Sequence, residues 1–251
     1  MPLLKSLDLA NFFENFFKAI RFLSSPSSVK TLSRSSFSSL SFFPAIGFLI
    51  GLVSLWAYVF MHAFLSERAS NLMLILVPIV LTRGAPLLGF SRFCDAFSGS
   101  REERESPAVS QEAPVGFYGM LATFLLLLTQ FEMLQDLPNK SWAFLFALSA
   151  SRWSEVVLLF YLPCADSGKS LNSPAGKEGN QPLLAATAIL FFVTLPLSWS
   201  GLYAFLILLV FLFLLGVAVK RAVAHLTPEF LGAVSELSEL LIFVLLTILN
   251  R

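Results

Sequence analysis

Long charge-free runs alternate with short polar segments along the whole chain. No Asp, Glu, Lys or Arg occurs between Ser35 and Ser66. A membrane-crossing helix needs about 20 predominantly apolar residues, so this stretch predicts a span near 41–62. "ASNLMLILVPIVLT", bracketed by Arg68 and Arg83, predicts a second, extending past Arg83 to cover 70–90. "APVGFYGMLATFLLLLTQF" predicts a third at 113–131, and "WAFLFALSASRWSEVVLLFYL" a fourth at 142–162, with Arg152 and Glu155 inside it. The charge-free run from Gly179 to Val219 is too long for one crossing. Pro196 and Ser198–Gly201 mark a turn, which gives spans near 182–197 and 201–219. The last, 231–249, carries Glu236 and Glu239 in its first half. The expected fold is therefore all-α: a polytopic integral membrane helix bundle of about seven spans, one transmembrane domain over 1–251. Ahead of it, Phe12, Phe13, Phe16, Phe17, Ile20 and Leu23 recur at helical spacing, opposite Glu14, Lys18 and Arg21. This predicts an amphipathic helix over 8–24, lying on the bilayer surface or packed on the bundle.

Composition agrees with this pattern. The chain is 56% hydrophobic and 13% charged, with a mean hydropathy of +0.77, whereas soluble domains carry about 25% charged residues. A net charge of +1 without a Lys/Arg stripe gives no reason to expect nucleic acid. Cys94 and Cys164 have no zinc spacing and read as apolar thiols. The first 36 residues show no secretory signal pattern. With the N-terminus inside, the inner segments 1–40, 83–112, 163–182 and 220–229 hold 13 of the 17 Lys and Arg residues. That bias predicts a cytoplasmic N-terminus and cytoplasmic polar loops.

Charges inside spans are costly unless paired or hydrated. Arg152 and Glu155, three apart, share a helix face. They are either a buried ion pair or the lining of a cavity where Arg152 meets an anionic substrate. Glu236 and Glu239 have the same spacing. They mark a solvated helix entry, or they need a cation or Arg152 between them. His62 and His225 have no neighbouring ligand at metal spacing and read as interfacial. "REERE" at 101–105 reads as a solvated loop.

Several segments together resemble one family. They are "AIRFLSS", "FFPAIGFLIGL" at 42–52, "TRGAPLLGFSRFCDAF" at 82–97, "VGFYG" at 115–119 and "VKRAVAHLTPEFLGAVSELSEL" at 219–240. In order and spacing they resemble the cobalamin-5′-phosphate synthases, also called adenosylcobinamide-GDP ribazoletransferases. The resemblance implies a polytopic enzyme of the inner (plasma) membrane of a prokaryote. It would join adenosylcobinamide-GDP to α-ribazole or its phosphate, release GMP and require Mg²⁺. Other enzymes of the corrinoid pathway are implied as neighbours.

The family's elbow reads Gly-Gly-Leu-His-Leu-Asp-Gly-Leu-Ala-Asp-Thr-Ala-Asp. Here its histidine is Pro86, its first two aspartates are Leu88 and Arg92, and the third is Asp95. Further on, its Asp-Ser-Arg-Ile-Gly is Glu112 to Gly116, and its Gln-Thr-Gly-Asp is Leu226 to Glu229. Carried over position by position, the resemblance implies Asp95, Glu112 and Glu229 as metal or acid–base residues. Arg92, Arg152, Lys220 and Arg221, with Arg101 and Arg104, are then phosphate contacts. Gly84, Gly89 and Gly116 would let backbone approach phosphates, or let helices pack closely. Three functions stay open: a working transferase, a non-catalytic relative that binds corrinoid or serves as a scaffold, and a carrier.

Overall fold

The first charge-free run begins as a short 3-10 turn, Phe37–Phe42, continuing into α1, Phe43–His62. Pro44 falls in the first turn of α1, where a missing amide hydrogen leaves no helical bond unmade. The computed structural model describes residues 37–98, 115–162, 164–166, 169–171, 180–222 and 227–250. The expected amphipathic helix at 8–24, Glu112, the 101–105 charge run and His225 lie outside the described residues. After α1 come α2 (Glu67–Leu81), α3 (Ala85–Ser98), α4 (Phe117–Asp136) and α5 (Lys140–Tyr161). A three-residue antiparallel pair follows, β1 (Cys164–Asp166) with β2 (Lys169–Leu171). The chain then forms α6 (Gln181–Thr194), a 3-10 turn at Leu195–Leu197, α7 (Ser198–Ala222) and α8 (Pro228–Leu249).

Five helical stretches are long and apolar enough to cross a membrane, or six when the bent α2–α3 pair counts as one crossing. One of the five is the 38-residue run over 181–218. Straight, it would be about 57 Å long at 1.5 Å per residue, nearly twice the roughly 30 Å hydrocarbon core. The 3-10 turn and Ser198, at φ 53°, interrupt it where the Pro196 signal predicted a break. The stretch expected as the second span, 70–90, is not a single straight helix: it is the α2–α3 pair, bent by 87°.

α5 is the hub. In its most apolar window 94% of residues are buried inside the protein, against 22% for α4. Lipid tails are as apolar as leucine, so helices associate through close contact between small side chains rather than by escaping water. α5 supplies Ala143, Ala147, Ala150, Ser151 and Ser154, all buried. From the other side, Gly47 and Gly51 of α1 form a G-x-x-x-G stripe. A Cβ on Gly47 would run into the Leu148 carbonyl oxygen, and one on Gly51 would lie 2.8 Å from the Leu145 side chain. α6 is fastened to α5 by the Trp153 indole N–H, which donates to Thr187 Oγ1 at 3.0 Å. Around this hub, α8 packs on α3, α5, α4 and α7, and α1 packs on α5 and α2.

At the end away from the elbow, polar side chains bind the helix termini together. Lys140 Nζ donates to Glu67 Oε1 at 2.6 Å and to Asn71 Oδ1 at 3.3 Å. Asn71 Nδ2 donates to Gln135 Oε1 at 3.0 Å, and Arg68 pairs with Glu132 at 3.3 Å. His62 stacks on Tyr58 there, with ring centroids 5.7 Å apart.

Candidate active site at the elbow

Pro78 sits inside α2, and the helix ends three residues later, at Leu81. Thr82 turns its hydroxyl back onto the Pro78 carbonyl at 2.7 Å. Arg83 and Gly84 then take left-handed backbone (φ 53° and 65°), and the Gly84 amide reaches back to the Ile79 carbonyl at 2.8 Å. This is a glycine-assisted helix stop, and it accounts for Gly84 without any ligand. α2 has 15 residues and is about 22 Å long, shorter than the hydrocarbon core. At that turn the chain bends by 87° into α3.

α3 is held between α4 and α8. A Cβ on Gly232 of α8 would lie 2.6 Å from the Pro86 carbonyl oxygen and 2.9 Å from the Gly89 Cα, so two glycines let these helices touch. One turn further on, Phe93 meets Phe230 edge to face, with centroids 5.7 Å apart. Glu229, in the first turn of α8, is half-buried beside that ring pair. Thr227 caps the same turn, its hydroxyl accepting from the Phe230 amide at 3.3 Å.

Asp95 is the joint between α3 and α4. Its Oδ2 accepts from the Gly116 amide at 2.7 Å and its Oδ1 from the Gly119 amide at 2.6 Å. The first amides of a helix have no partner of their own, and the helix dipole makes that end positive. A carboxylate suits it on both counts. The fit requires glycine: a Cβ on Gly116 would lie 2.7 Å from Asp95 Oδ1, and one on Gly119 would strike both Asp95 and the Ser91 carbonyl. Of the two roles expected for Gly89 and Gly116, the described structure displays close packing. The sequence reading missed this cap. Its visible signal was Gly116 and Gly119 at one-turn spacing at the start of an apolar run.

The other expected residues are placed as follows. Arg92, one turn before Asp95, is half-buried, as is Leu88. Lys220 and Arg221 lie on the last turn of α7, where the backbone alone is described. Arg152 is 3% exposed and donates from Nη1 to Glu155 Oε1 at 2.6 Å, so the ion pair of the first reading is present, and its side chain also borders a small cavity with Gln130, Glu236 and Glu239. The Ser235 hydroxyl also bonds Glu155, tying α5 to α8. Glu236 is buried rather than at a solvated helix entry, and Gln130 Nε2 of α4 donates to its Oε2 at 3.4 Å.

Among the described residues, the donors at the elbow do not by themselves fit Mg²⁺, which wants near-octahedral oxygen at short range. Leu88 offers no oxygen, Arg92 brings a positive charge, and both Asp95 oxygens are engaged by amides. Among the described residues no group of three His, Cys, Asp or Glu side chains is arranged to hold a metal ion.

The fold defines a polytopic membrane protein in which segments 82–98, 115–119 and 227–240 pack together at one bent helix pair. The chain belongs to the cobalamin-5-phosphate synthase family, whose model matches residues 15–247. Adenosylcobinamide-GDP ribazoletransferase of Escherichia coli (strain K12) is 28% identical over 211 residues, 81% of this chain and 85% of that protein. The same enzyme of Escherichia coli O157:H7 gives the same figures. No solved structure matches the chain.

Proposed function

We propose that this protein joins adenosylcobinamide-GDP to α-ribazole or its phosphate and releases GMP, at the inner membrane of a prokaryote. The N-terminus and the elbow end face the cytoplasm. The observation that carries the reading is convergence. Three segments that resemble the family lie far apart in sequence, yet they meet through the Asp95–Gly116/Gly119 bonds, the Gly232–Gly89 contact and the Phe93–Phe230 ring pair. The Escherichia coli relatives, both adenosylcobinamide-GDP ribazoletransferases, support the same reaction.

In the reaction a ribazole hydroxyl oxygen forms a bond to the phosphorus that carries the cobinamide. The bond from that phosphorus to GMP breaks, and the hydroxyl proton leaves. Such transfers depend on positioning and on cations that meet the developing phosphate charge. Arg92, Lys220 and Arg221 are assigned that contact, and Glu229 takes the hydroxyl proton. Asp95 is a positioning residue that fixes α3 against the start of α4. Arg152, enclosed with Glu155, frames the site from beneath. No step is routed through Mg²⁺, since the described donors do not fit it.

The test is the purified protein in lipid nanodiscs with adenosylcobinamide-GDP, α-ribazole or its phosphate, and Mg²⁺ in the buffer, with GMP as the readout. The Escherichia coli relative serves as the control. GMP release above the protein-free rate, cut at least tenfold by Glu229→Gln, is the expected result. No GMP from this protein while the control is active overturns the proposal.

A further inference from the structure

Arg83 stands between Thr82 and Gly84 where α2 stops, on left-handed backbone (φ 53°) that favours Gly or Asn. Its level in the bundle follows from its neighbours. The Lys140–Asn71–Gln135 bonds fix α2, α4 and α5 together at the opposite end. Counted from there at 1.5 Å per residue, Arg83 is about 18 Å along α2, Phe117 about 27 Å along α4 and Tyr161 about 32 Å along α5. The α2 stop therefore falls about 9 Å short of the first turn of α4. Thr82 agrees with this count: it borders the same small cavity as Leu127 and Arg152, and Arg152 is itself about 18 Å from Lys140.

At that level the outer surface is apolar. Val80 and Leu81 beside Arg83, and Phe124 and Leu128 on α4, are exposed, as suits side chains that meet lipid tails. Arg83 is exposed among them. Among the described residues its side chain has no hydrogen bond, ion pair or ring contact. Arg68, Lys140 and Arg152, by contrast, are each paired with a carboxylate. A guanidinium without a counter-charge on an apolar belt is costly, and the chain also accepts an unfavourable backbone position to hold arginine there. A long basic side chain in this setting extends toward the nearest polar layer, which for Arg83 lies at the elbow end.

We propose that Arg83 binds a phosphate group at the elbow, drawn in from the polar face of the membrane. The planar fork of a guanidinium matches two phosphate oxygens, and the bonds are charge-assisted. Two sources supply the same chemistry: a phospholipid headgroup, or a soluble diphosphate. The second rests on the reaction proposed above, whose donor carries a diphosphate; the first does not. In either case the phosphate supplies the counter-charge that the chain withholds from Arg83.

The experiment uses the full chain in dodecyl maltoside, a detergent without phosphate, and follows thermal unfolding by tryptophan fluorescence at fixed pH and ionic strength. One arm adds phosphatidylglycerol, the other inorganic pyrophosphate. The ligand of a folded state stabilises it by mass action, so a tenfold excess over the dissociation constant raises the midpoint by about 3–6 °C for a chain of this size. A rise in the first arm identifies a lipid headgroup, and a rise in the second a soluble phosphate. Arg83→Asn suits the left-handed backbone and removes the guanidinium. It is expected to fold and to need about tenfold more of the same probe. Neither arm reads GMP release, so failure of the proposed reaction leaves this result standing. A second measurement reports the surroundings of position 83 in phospholipid nanodiscs, with Cys94 and Cys164 replaced by Ser. A charged methanethiosulfonate needs a hydrated thiolate, so it is expected to modify Arg83→Cys about tenfold faster than Phe124→Cys, at a similar level on α4. A wild-type midpoint flat in both arms, an Arg83→Asn response equal to wild type, or equal rates at the two cysteines overturns the proposal.

Discussion

At the scale of single residues, Asp95 shows how one side chain can answer a sequence question differently from its motif. Its type and position suit metal chemistry, yet its two oxygens serve two backbone amides of another helix. Charge-assisted bonds to a helix N-terminus are worth about 0.5–2 kcal/mol at a cap, and here they also join two elements. Asp95→Ala is expected to destabilise the protein by about 1–2 kcal/mol. Asp95→Asn, which keeps one of the two acceptor oxygens and sets an NH₂ against the other amide, should recover at most part of that loss. Thermal unfolding of the three proteins in the same nanodiscs checks this. Equal midpoints for wild type and Asp95→Ala would show that the joint carries no weight.

At the scale of elements, the packing of α1 on α5 depends on glycine rather than on apolar surface. Gly47 has no space for a methyl group because the Leu148 carbonyl occupies it, and a backbone atom cannot swing aside. Gly47→Ala is expected to cost about 1–3 kcal/mol, the usual penalty of overpacking. Exposed Trp56 on the same helix should tolerate Leu within about 0.5 kcal/mol. Comparing the unfolding midpoints of Gly47→Ala and Trp56→Leu separates a contact effect from a general loss of helix α1. The sequence showed most helices plainly, since predominantly apolar runs of membrane length mark α1, α4, α5 and α8. It also placed the break at Pro196. It misled at 70–90, where apolar residues continue through a turn. Hydropathy averages over that turn, while Pro78 and the Arg83–Gly84 pair stop α2 by backbone geometry. The Asp95 cap and the Gln130–Glu236 link were hidden for another reason: each joins residues 21 to 106 positions apart, and periodicity reports neighbours on one helix.

At the scale of the whole molecule, polarity is arranged in three levels. The Lys140–Glu67–Asn71 clamp closes one end, Arg152 with its carboxylates fills the middle, and Asp95 with Glu229 marks the elbow end. Close-packed small residues hold the frame, and the proposed site lies at the elbow between α3, α4 and α8. The account stands on segments 82–98 and 227–240 sharing one face of the membrane. Site-directed labelling tests this most directly. In a background with Cys94 and Cys164 replaced by Ser, cysteine is placed at Phe97, at Glu229 and, for the opposite end, at Phe64. Each is challenged with a membrane-impermeant maleimide in sealed vesicles of known orientation. Positions 97 and 229 are predicted to react from the cytoplasmic side and position 64 from the other. Labelling of positions 97 and 229 from opposite sides would contradict the account.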